Sequence, residues 1–240
     1  MAAIGIRHRP TIYYGWYIVA VALIVQCLSV GVSAFAGGVF LKPMAADLHW
    51  SRQDFSAVQT VTSVVTGLIG FVVGGLIDRR GPRLLMIIGA IISGSALCLT
   101  AAVQEPWHFY LVRGIAQTIG MAMVGNLVVN VTLARWFVVR RGTAIAMASI
   151  GFSLGGLLLS PLMSSWIQSY GWRETWIILG CLTWAIVIPC AFVMRRSPED
   201  YGLSPDGLDA KQAAALAARL TGCRDNRAYK RALQLRDPPA

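Results

Sequence analysis

Arg113 is the only cation well inside one of the long apolar runs of this sequence. It lies roughly 9 Å below Trp107 along a helix that rises about 1.5 Å per residue. A guanidinium at that depth needs polar partners, and Gln117 lies one turn away on the same face, whereas Asn126 and Asn130 form a pair on nearly the opposite face. Two interpretations stay open: Arg113 forms an anion or proton-coupling site, or it donates hydrogen bonds to helix ends and loop carbonyls as a structural residue.

Small and polar residues follow one face of three other apolar runs, at the three- and four-residue spacing of a helix. Such faces avoid lipid, because they pack against other helices or line water-filled cavities. We therefore expect these three helices to be central, and the third and sixth helices, which show no such stripe, to be peripheral. The stripe residues are Gln26, Ser29, Ser33 and Gly37 in the first run, Gln59, Thr62, Ser63, Thr66, Gly70 and Gly74 in the second, and Ser149, Ser153, Gly156, Ser160 and Ser164 in the fifth.

A path for a polar substrate would run between these faces. For each single Ser or Gly, close helix packing is the alternative role. The candidate path residues are Arg113, Gln117, Gln26, Ser29, Ser33, Gln59, Thr62, Ser63, Thr66, Ser149 and Ser153.

Residue patterns for catalysis, cofactors or metals are not found in this sequence. It contains no phosphate-cradling loop, no HExxH, no Ser/His/Asp arrangement and no paired carboxylates inside the apolar runs. The three histidines lie outside those runs, and the five cysteines show no CxxC or Cys/His spacing, so small apolar packing residues are the expected role of the cysteines. We expect neither an enzyme nor a bound cofactor or metal.

The elements that position these residues are predicted to be transmembrane helices. Hydrophobic residues make up 56% of the 240-residue chain, charged residues 13%, and the mean hydropathy is +0.60, which is unusual for a soluble domain. Six runs are each long enough to cross a bilayer core of about 30 Å. They cover about residues 14–40, 55–77, 84–103, 109–131, 142–167 and 175–194.

Basic residues predict the orientation of this six-helix domain. They cluster in the segments that fall on one side, whereas the opposite loops hold only Lys42, Arg52 and Arg173. The positive-inside rule therefore predicts a cytoplasmic N-terminus over residues 1–13, a membrane domain over 14–196 and a cytoplasmic tail over 197–240. Scattered cations at helix ends form no continuous footprint for nucleic acid, which we exclude as a partner.

The charged stretch GGLIDRRGPRLLM, residues 74–86, interrupts the apolar pattern between the second and third helices. Gly81 and Pro82 suit a short turn there, and the neighbouring arginines hold it on the inner side. Asp78 ends the second helix, where the helix dipole disfavours an acid. We expect it to pair with Arg79, Arg83 or Arg135.

This stretch resembles the loop 2–3 signature of the major facilitator superfamily, Gly-x-Leu-x-Asp-Arg-x-Gly-x-Arg. Other segments are similar to the oxalate/formate antiporter and monocarboxylate transporter branch: Tyr14-Gly15-Trp16, Gly171-Trp172-Arg173, and the run from Pro198 to Gly207 that reads PEDYGLSPDG. The resemblance covers about residues 12–207.

The resemblance implies one half of a twelve-helix bundle, built from 3+3 inverted repeats, in a secondary transporter that works by alternating access. We expect an all-α protein of the bacterial inner membrane that carries small organic anions, with a second half or a homodimer as its partner. The alternative is a truncated, non-transporting remnant or a six-helix module that needs a partner half. The switch-loop residues implied by the family are Gly74, Asp78, Arg79, Gly81, Arg83 and Arg135.

The fourth helix departs from the family pattern. Its motif resembles Arg-x-x-Gln-Gly, but Arg113-Gly114-Ile115-Ala116-Gln117 displaces the glutamine by one position. In a regular α-helix that shift moves the amide about 100° around the axis.

Overall fold

The computed structural model describes residues 13–198, apart from the side chain of Asp78. Six helices fill this range, each long and apolar enough to cross a membrane, and no strand occurs within it. The prediction of an all-α, six-helix membrane fold is confirmed. The helices are α1 Tyr14–Leu48, α2 Arg52–Arg80, α3 Pro82–Thr100, α4 Pro106–Trp136, α5 Arg141–Tyr170 and α6 Trp172–Val193.

Several helices run past the predicted apolar runs, because a helix ends where its backbone is capped or broken and not where its side chains stop being apolar. α1 extends to Leu48, well beyond residue 40. α2 starts at a capping box: Ser51 Oγ accepts from the Asp54 backbone N–H, and the Asp54 carboxylate accepts from the Ser51 backbone N–H, 2.9 Å away.

Two turns in the bundle consist of a single glycine. Gly81 separates α2 from α3 with φ 77° and ψ 165°, and Gly171 separates α5 from α6 with φ 87° and ψ 167°. Residues with a Cβ rarely adopt positive φ, so glycine is required at both positions. Pro82 follows as the first residue of α3, where its missing N–H costs no hydrogen bond.

Two helices contain a π-helical segment, and one of them is also interrupted. In α1 the segment covers Gln26–Val30, and in α4 it covers Tyr110–Ala116. α4 is also interrupted at Gly125, whose backbone is extended. Such segments add residues to a helical turn and change the face on which later side chains lie.

Close approaches at glycine hold the bundle together in two helix pairs. α5 lies against α1 where Gly155 meets the Cys27 carbonyl and Gly31, and Gly151 meets the Leu23 carbonyl. Gly151 and Gly155 form a small-xxx-small pattern, which lets two backbones approach in a membrane.

α3 and α6 also pack closely, with Gly94 under the ring of Trp184 and Gly180 against Cys98. The expectation that the third and sixth helices are peripheral stays a prediction, because contact between these two helices does not show where either lies in a complete transporter. α1 is well enclosed, as expected, but α2 is largely exposed along its span.

Aromatic residues join the start of α1 to the ends of α4 and α6 at one end of the bundle. Tyr13 Oη donates to the Trp136 carbonyl (3.1 Å), Tyr14 Oη donates to the Val193 carbonyl (3.0 Å), and Trp136 Nε1 donates to the Arg195 carbonyl (3.1 Å). These contacts bring the start of α1 and the ends of α4 and α6 to the same end as the turn at Gly81, which lies beside Arg196.

Candidate functional site

Arg113 lies where α1, α4 and α6 meet. Its Nη2 donates to the backbone carbonyl of Ser33 in α1, 3.4 Å away, and its guanidinium lies over the ring of Trp176 in α6, 4.8 Å from the centroid. Its other terminal nitrogen, Nη1, is buried and has no hydrogen-bond partner among the described residues. A guanidinium with spare N–H groups in a desolvated position is a donor suited to a carboxylate.

Trp176 belongs to this site, although its sequence pattern does not predict it. The side chain is 1% exposed and stacks on Phe40 with ring centroids 4.0 Å apart. Its Nε1 is buried without a partner in the described part of the chain. α6 carries no polar stripe, and a tryptophan in an apolar run gives no sign that a cation from another helix will cover it.

Gln117 directly follows the π-helical segment of α4. The π-helical segment Tyr110–Ala116 takes up about one more residue per turn than an α-helix. The expected rotation of about 100° therefore does not hold, because the π-helical turn absorbs most of it. Gln117 is 3% exposed, and its Oε1 has no hydrogen-bond partner in residues 13–198.

Gln26 and Ser29 are also buried, in the π-helical segment of α1. They are 0% and 3% exposed, and neither the Gln26 amide nor the Ser29 hydroxyl has a partner within the described bundle. This segment packs against α5, where Gln26 lies beside Gly151, and against Gln117–Val124 of α4. The structure therefore gathers Gln26, Ser29, Arg113 and Gln117 with the Ser33 carbonyl into the α1–α4 region of one bundle.

A family comparison accounts for the fold. A family model described as Major Facilitator Superfamily matches residues 19–233. The chain belongs to the major facilitator superfamily. Proteins of this superfamily are transporters and not enzymes, which confirms the expectation drawn from the absence of catalytic patterns.

Curated relatives of this major facilitator chain include monocarboxylate transporters. Monocarboxylate transporter 11 of Mus musculus is 30% identical over 216 residues, which are 90% of this chain and 46% of the relative. The uncharacterized MFS-type transporter YcxA of Bacillus subtilis (strain 168) is 26% identical over 186 residues, which are 76% of this chain and 45% of the relative. The chain thus spans about half the length of these relatives, and the predicted resemblance to the superfamily is confirmed.

A solved structure shows the same fold. It is a bacterial homolog to the human lysosomal transporter Spinster, in an inward-facing and unoccupied conformation, with a TM-score of 0.65 and 18% identity. The match covers 90% of this chain and 50% of that chain. The six-helix bundle that carries Arg113 therefore has the fold of half of that chain.

The polar stripes of α2 and α5 stay outside the Arg113 site in this superfamily bundle. Gln59, Ser63, Thr66, Ser149 and Ser153 are exposed and Thr62 is half-buried. In α2 the Ser63 hydroxyl donates to the Gln59 carbonyl (2.9 Å), and the Thr66 hydroxyl donates to the Thr62 carbonyl (2.7 Å). α5 turns a different face inward, which includes Ala144, Ala148, Gly151 and Gly155.

The switch-loop residues of the superfamily signature lie where α2 ends and α3 begins. Gly74 has open space around it, Arg79 is exposed, and the guanidinium of Arg83 lies over the ring of Phe192 in α6, 4.5 Å from the centroid. Arg135 is half-buried at the end of α4. The side chain of Asp78 lies outside the described residues, so its pairing with Arg79, Arg83 or Arg135 stays a prediction.

Proposed function

We propose that this chain forms the N-terminal half of a secondary transporter for small organic anions of the monocarboxylate or oxalate/formate type. Arg113 carries the proposal: its buried guanidinium keeps one terminal nitrogen without a partner among the described residues. A buried polar group without a partner costs about 1–3 kcal/mol, and more when it is charged. A carboxylate that binds Arg113 would remove this cost, and the relatives named as monocarboxylate transporters support that class of substrate.

The second half of the transporter is part of this proposal. The exposed stripes of α2 and α5 place hydroxyl and amide groups on faces that lipid disfavours. In transporters of this kind the substrate site lies near the membrane midplane, between repeats that move against one another. The open faces of α2 and α5 are therefore suited to a second bundle, and alternating access needs one.

Uptake into liposomes tests the proposed function. The chain is reconstituted alone and together with the separately expressed second half of a full-length relative, and formate, oxalate, lactate and pyruvate uptake is measured. We expect uptake only with both halves. Uptake by a strictly monomeric chain would remove the need for a second half. If the two halves co-purify but carry none of the four anions, the anion proposal is rejected.

Both termini are proposed to face the cytoplasm of a bacterial inner membrane. Contacts place the start of α1, the turn at Gly81 and the ends of α4 and α6 at one end of the bundle, and the basic residues concentrate in these segments. The basic excess favours the cytoplasmic side for this end.

An alkaline phosphatase fusion after Arg196 is therefore expected to be inactive, because the enzyme folds only after export. A second fusion after Glu105, in the loop between α3 and α4, should be active and serves as the control. High activity after Arg196 together with low activity after Glu105 would invert the proposed topology.

A further inference from the structure

Two cysteines meet where α3 packs against α6. Cys98 lies in the last turn of α3, and Cys181 lies within α6. Cys98 Sγ donates to the backbone carbonyl of Ile177 in α6, 4.0 Å away. The Cys98 and Cys181 thiols are also near enough to interact through a side-chain hydrogen bond. Both sulfur atoms therefore lie at one contact between the two helices.

The geometry of α6 directs the Cys181 side chain toward Cys98. In an α-helix the N–H of one residue donates to the carbonyl four residues earlier, so Ile177 and Cys181 lie on one face, one turn apart. The Cα–Cβ bonds of a helix tilt toward its N-terminus, so the Cys181 thiol extends over the turn that carries the Ile177 carbonyl. Cys98 Sγ lies at that same carbonyl.

A glycine brings the two backbones close at this point. A Cβ built on Gly180 would lie 2.8 Å from the Gly94 carbonyl oxygen and 3.2 Å from the Cys98 backbone nitrogen, and it would collide with Cys98 Sγ. A disulfide needs two Cα atoms about 4.4–6.8 Å apart. The close approach at Gly180 allows such a separation between residues of the two facing helices.

Reagents can reach these thiols, unlike those of a sealed core. Cys181 is exposed and Cys98 is half-buried. Structural cysteines that are fully buried are inert, whereas accessible thiols with a second cysteine beside them are the ones that oxidise reversibly. Hydrogen peroxide is small and uncharged, so it can reach a thiol on the surface of a membrane helix.

We propose that Cys98 and Cys181 form a reversible oxidation site, at which hydrogen peroxide closes a disulfide between α3 and α6. Peroxide oxidises the Cys181 thiol to a sulfenic acid and releases one water. The Cys98 sulfur then attacks the Cys181 sulfur, and the sulfenic oxygen leaves as a second water with the Cys98 proton. Sulfur gives up two electrons, which reduce the O–O bond of the peroxide. A small thiol reverses the reaction by exchange.

The disulfide would link α3 to the helix that carries Trp176. Cys181 lies about 7.5 Å along α6 from Trp176, at a rise of about 1.5 Å per residue. Oxidation would therefore restrict movement of the α6 wall beside Arg113. Disulfide formation itself does not depend on what the chain transports, so it is tested without a substrate.

Mapping of disulfides in the purified full chain tests this proposal. The reduced chain in detergent micelles is treated with hydrogen peroxide, free thiols are blocked with N-ethylmaleimide, and peptides are identified by mass spectrometry. We expect one main linked pair, Cys98 with Cys181, which dithiothreitol separates again. The melting temperature should rise by about 5–10 °C on oxidation, because the disulfide closes a long loop of the unfolded chain.

Cys190→Ser is the matched control for Cys98→Ser. Cys190 is also half-buried and belongs to α6, but within residues 13–198 no second thiol contacts it. Cys98→Ser should abolish the linked peptide and the rise in melting temperature, whereas Cys190→Ser should keep both. Irreversible oxidation of Cys181 without a link to Cys98, or equal linking of other cysteine pairs, in the unaltered chain would overturn the proposal. That result needs no variant, so misfolding of a variant does not affect it.

Discussion

Arg113→Met is expected to raise the melting temperature of the purified chain by a few degrees. Replacing a buried charge that is poorly compensated with an apolar side chain of similar length is often neutral or stabilising, by about 1–3 kcal/mol here. The same substitution should lower anion uptake by about 30-fold or more in the chain assembled with a second half. Loss of one partner from a buried charge pair costs about 2 kcal/mol or more.

These opposite effects separate the two roles that the sequence leaves open for Arg113. A structural arginine supports the bundle through the Ser33 carbonyl and the Trp176 ring, so its removal would lower the melting temperature. If Arg113 binds substrate, its buried charge lacks partners in the substrate-free bundle, so an apolar residue at this position would make the bundle more stable. Melting temperature is read by tryptophan fluorescence and uptake by labelled formate or lactate.

Arg173→Met is the matched control for this experiment. The guanidinium of Arg173 also lies over a tryptophan of α6, Trp172, at 4.6 Å, but it is exposed and has an acidic partner, Asp47, at 3.3 Å. Because exposed ion pairs contribute about 0–1 kcal/mol, we expect little change in stability or uptake. If Arg113→Met and Arg173→Met behave alike in both measurements, Arg113 has no special role.

Gly155→Ala is expected to destabilise the chain by about 1–3 kcal/mol, as overpacking of a close interface does. An alanine Cβ at this position would meet the backbone carbonyl of Cys27 and would lie 2.9 Å from Gly31 Cα. Backbone atoms cannot move aside as a flexible side chain can, so α5 would have to shift away from α1. Thermal unfolding in detergent measures the effect.

Gly67→Ala tests whether the loss of stability in Gly155→Ala arises from the α1–α5 contact and not from the change of glycine to alanine itself. Gly67 lies in α2 with no atom within 4 Å of a Cβ built there. Since alanine is a better helix former than glycine by about 1 kcal/mol, we expect the melting temperature of the Gly67→Ala variant to be unchanged or slightly raised. Equal melting temperatures for Gly155→Ala and Gly67→Ala would contradict the proposed α1–α5 contact.

Local signals predicted most of the fold. The apolar runs predicted six spanning helices, and Gly81 with Pro82 predicted the turn before α3. Each of these features depends on residues close together in the chain. The packing of α3 against α6 could not be predicted, because it uses glycines and a tryptophan and leaves no polar stripe in the sequence.

The site was only partly predictable. Arg113 stood out as a lone cation in an apolar run, and the burial of Gln26 and Ser29 agrees with the polar periodicity of the first run. The π-helical segments of α1 and α4 leave no composition signal, so the angular position of Gln117 could not be read from the sequence. Trp176 of α6 contacts Arg113 of α4, and a single sequence does not reveal a contact between two separate helices.

The single-residue turns at Gly81 and Gly171 have a mechanical consequence. A residue offers only two soft dihedral angles, so the turn between α2 and α3, like that between α5 and α6, contains no slack. The two helix ends at each turn must therefore move together, and the glycine is the point at which the angle between the helices can change. Movement of the open face of α2 would then be transmitted through Gly81 to α3 and, by its packing, to α6.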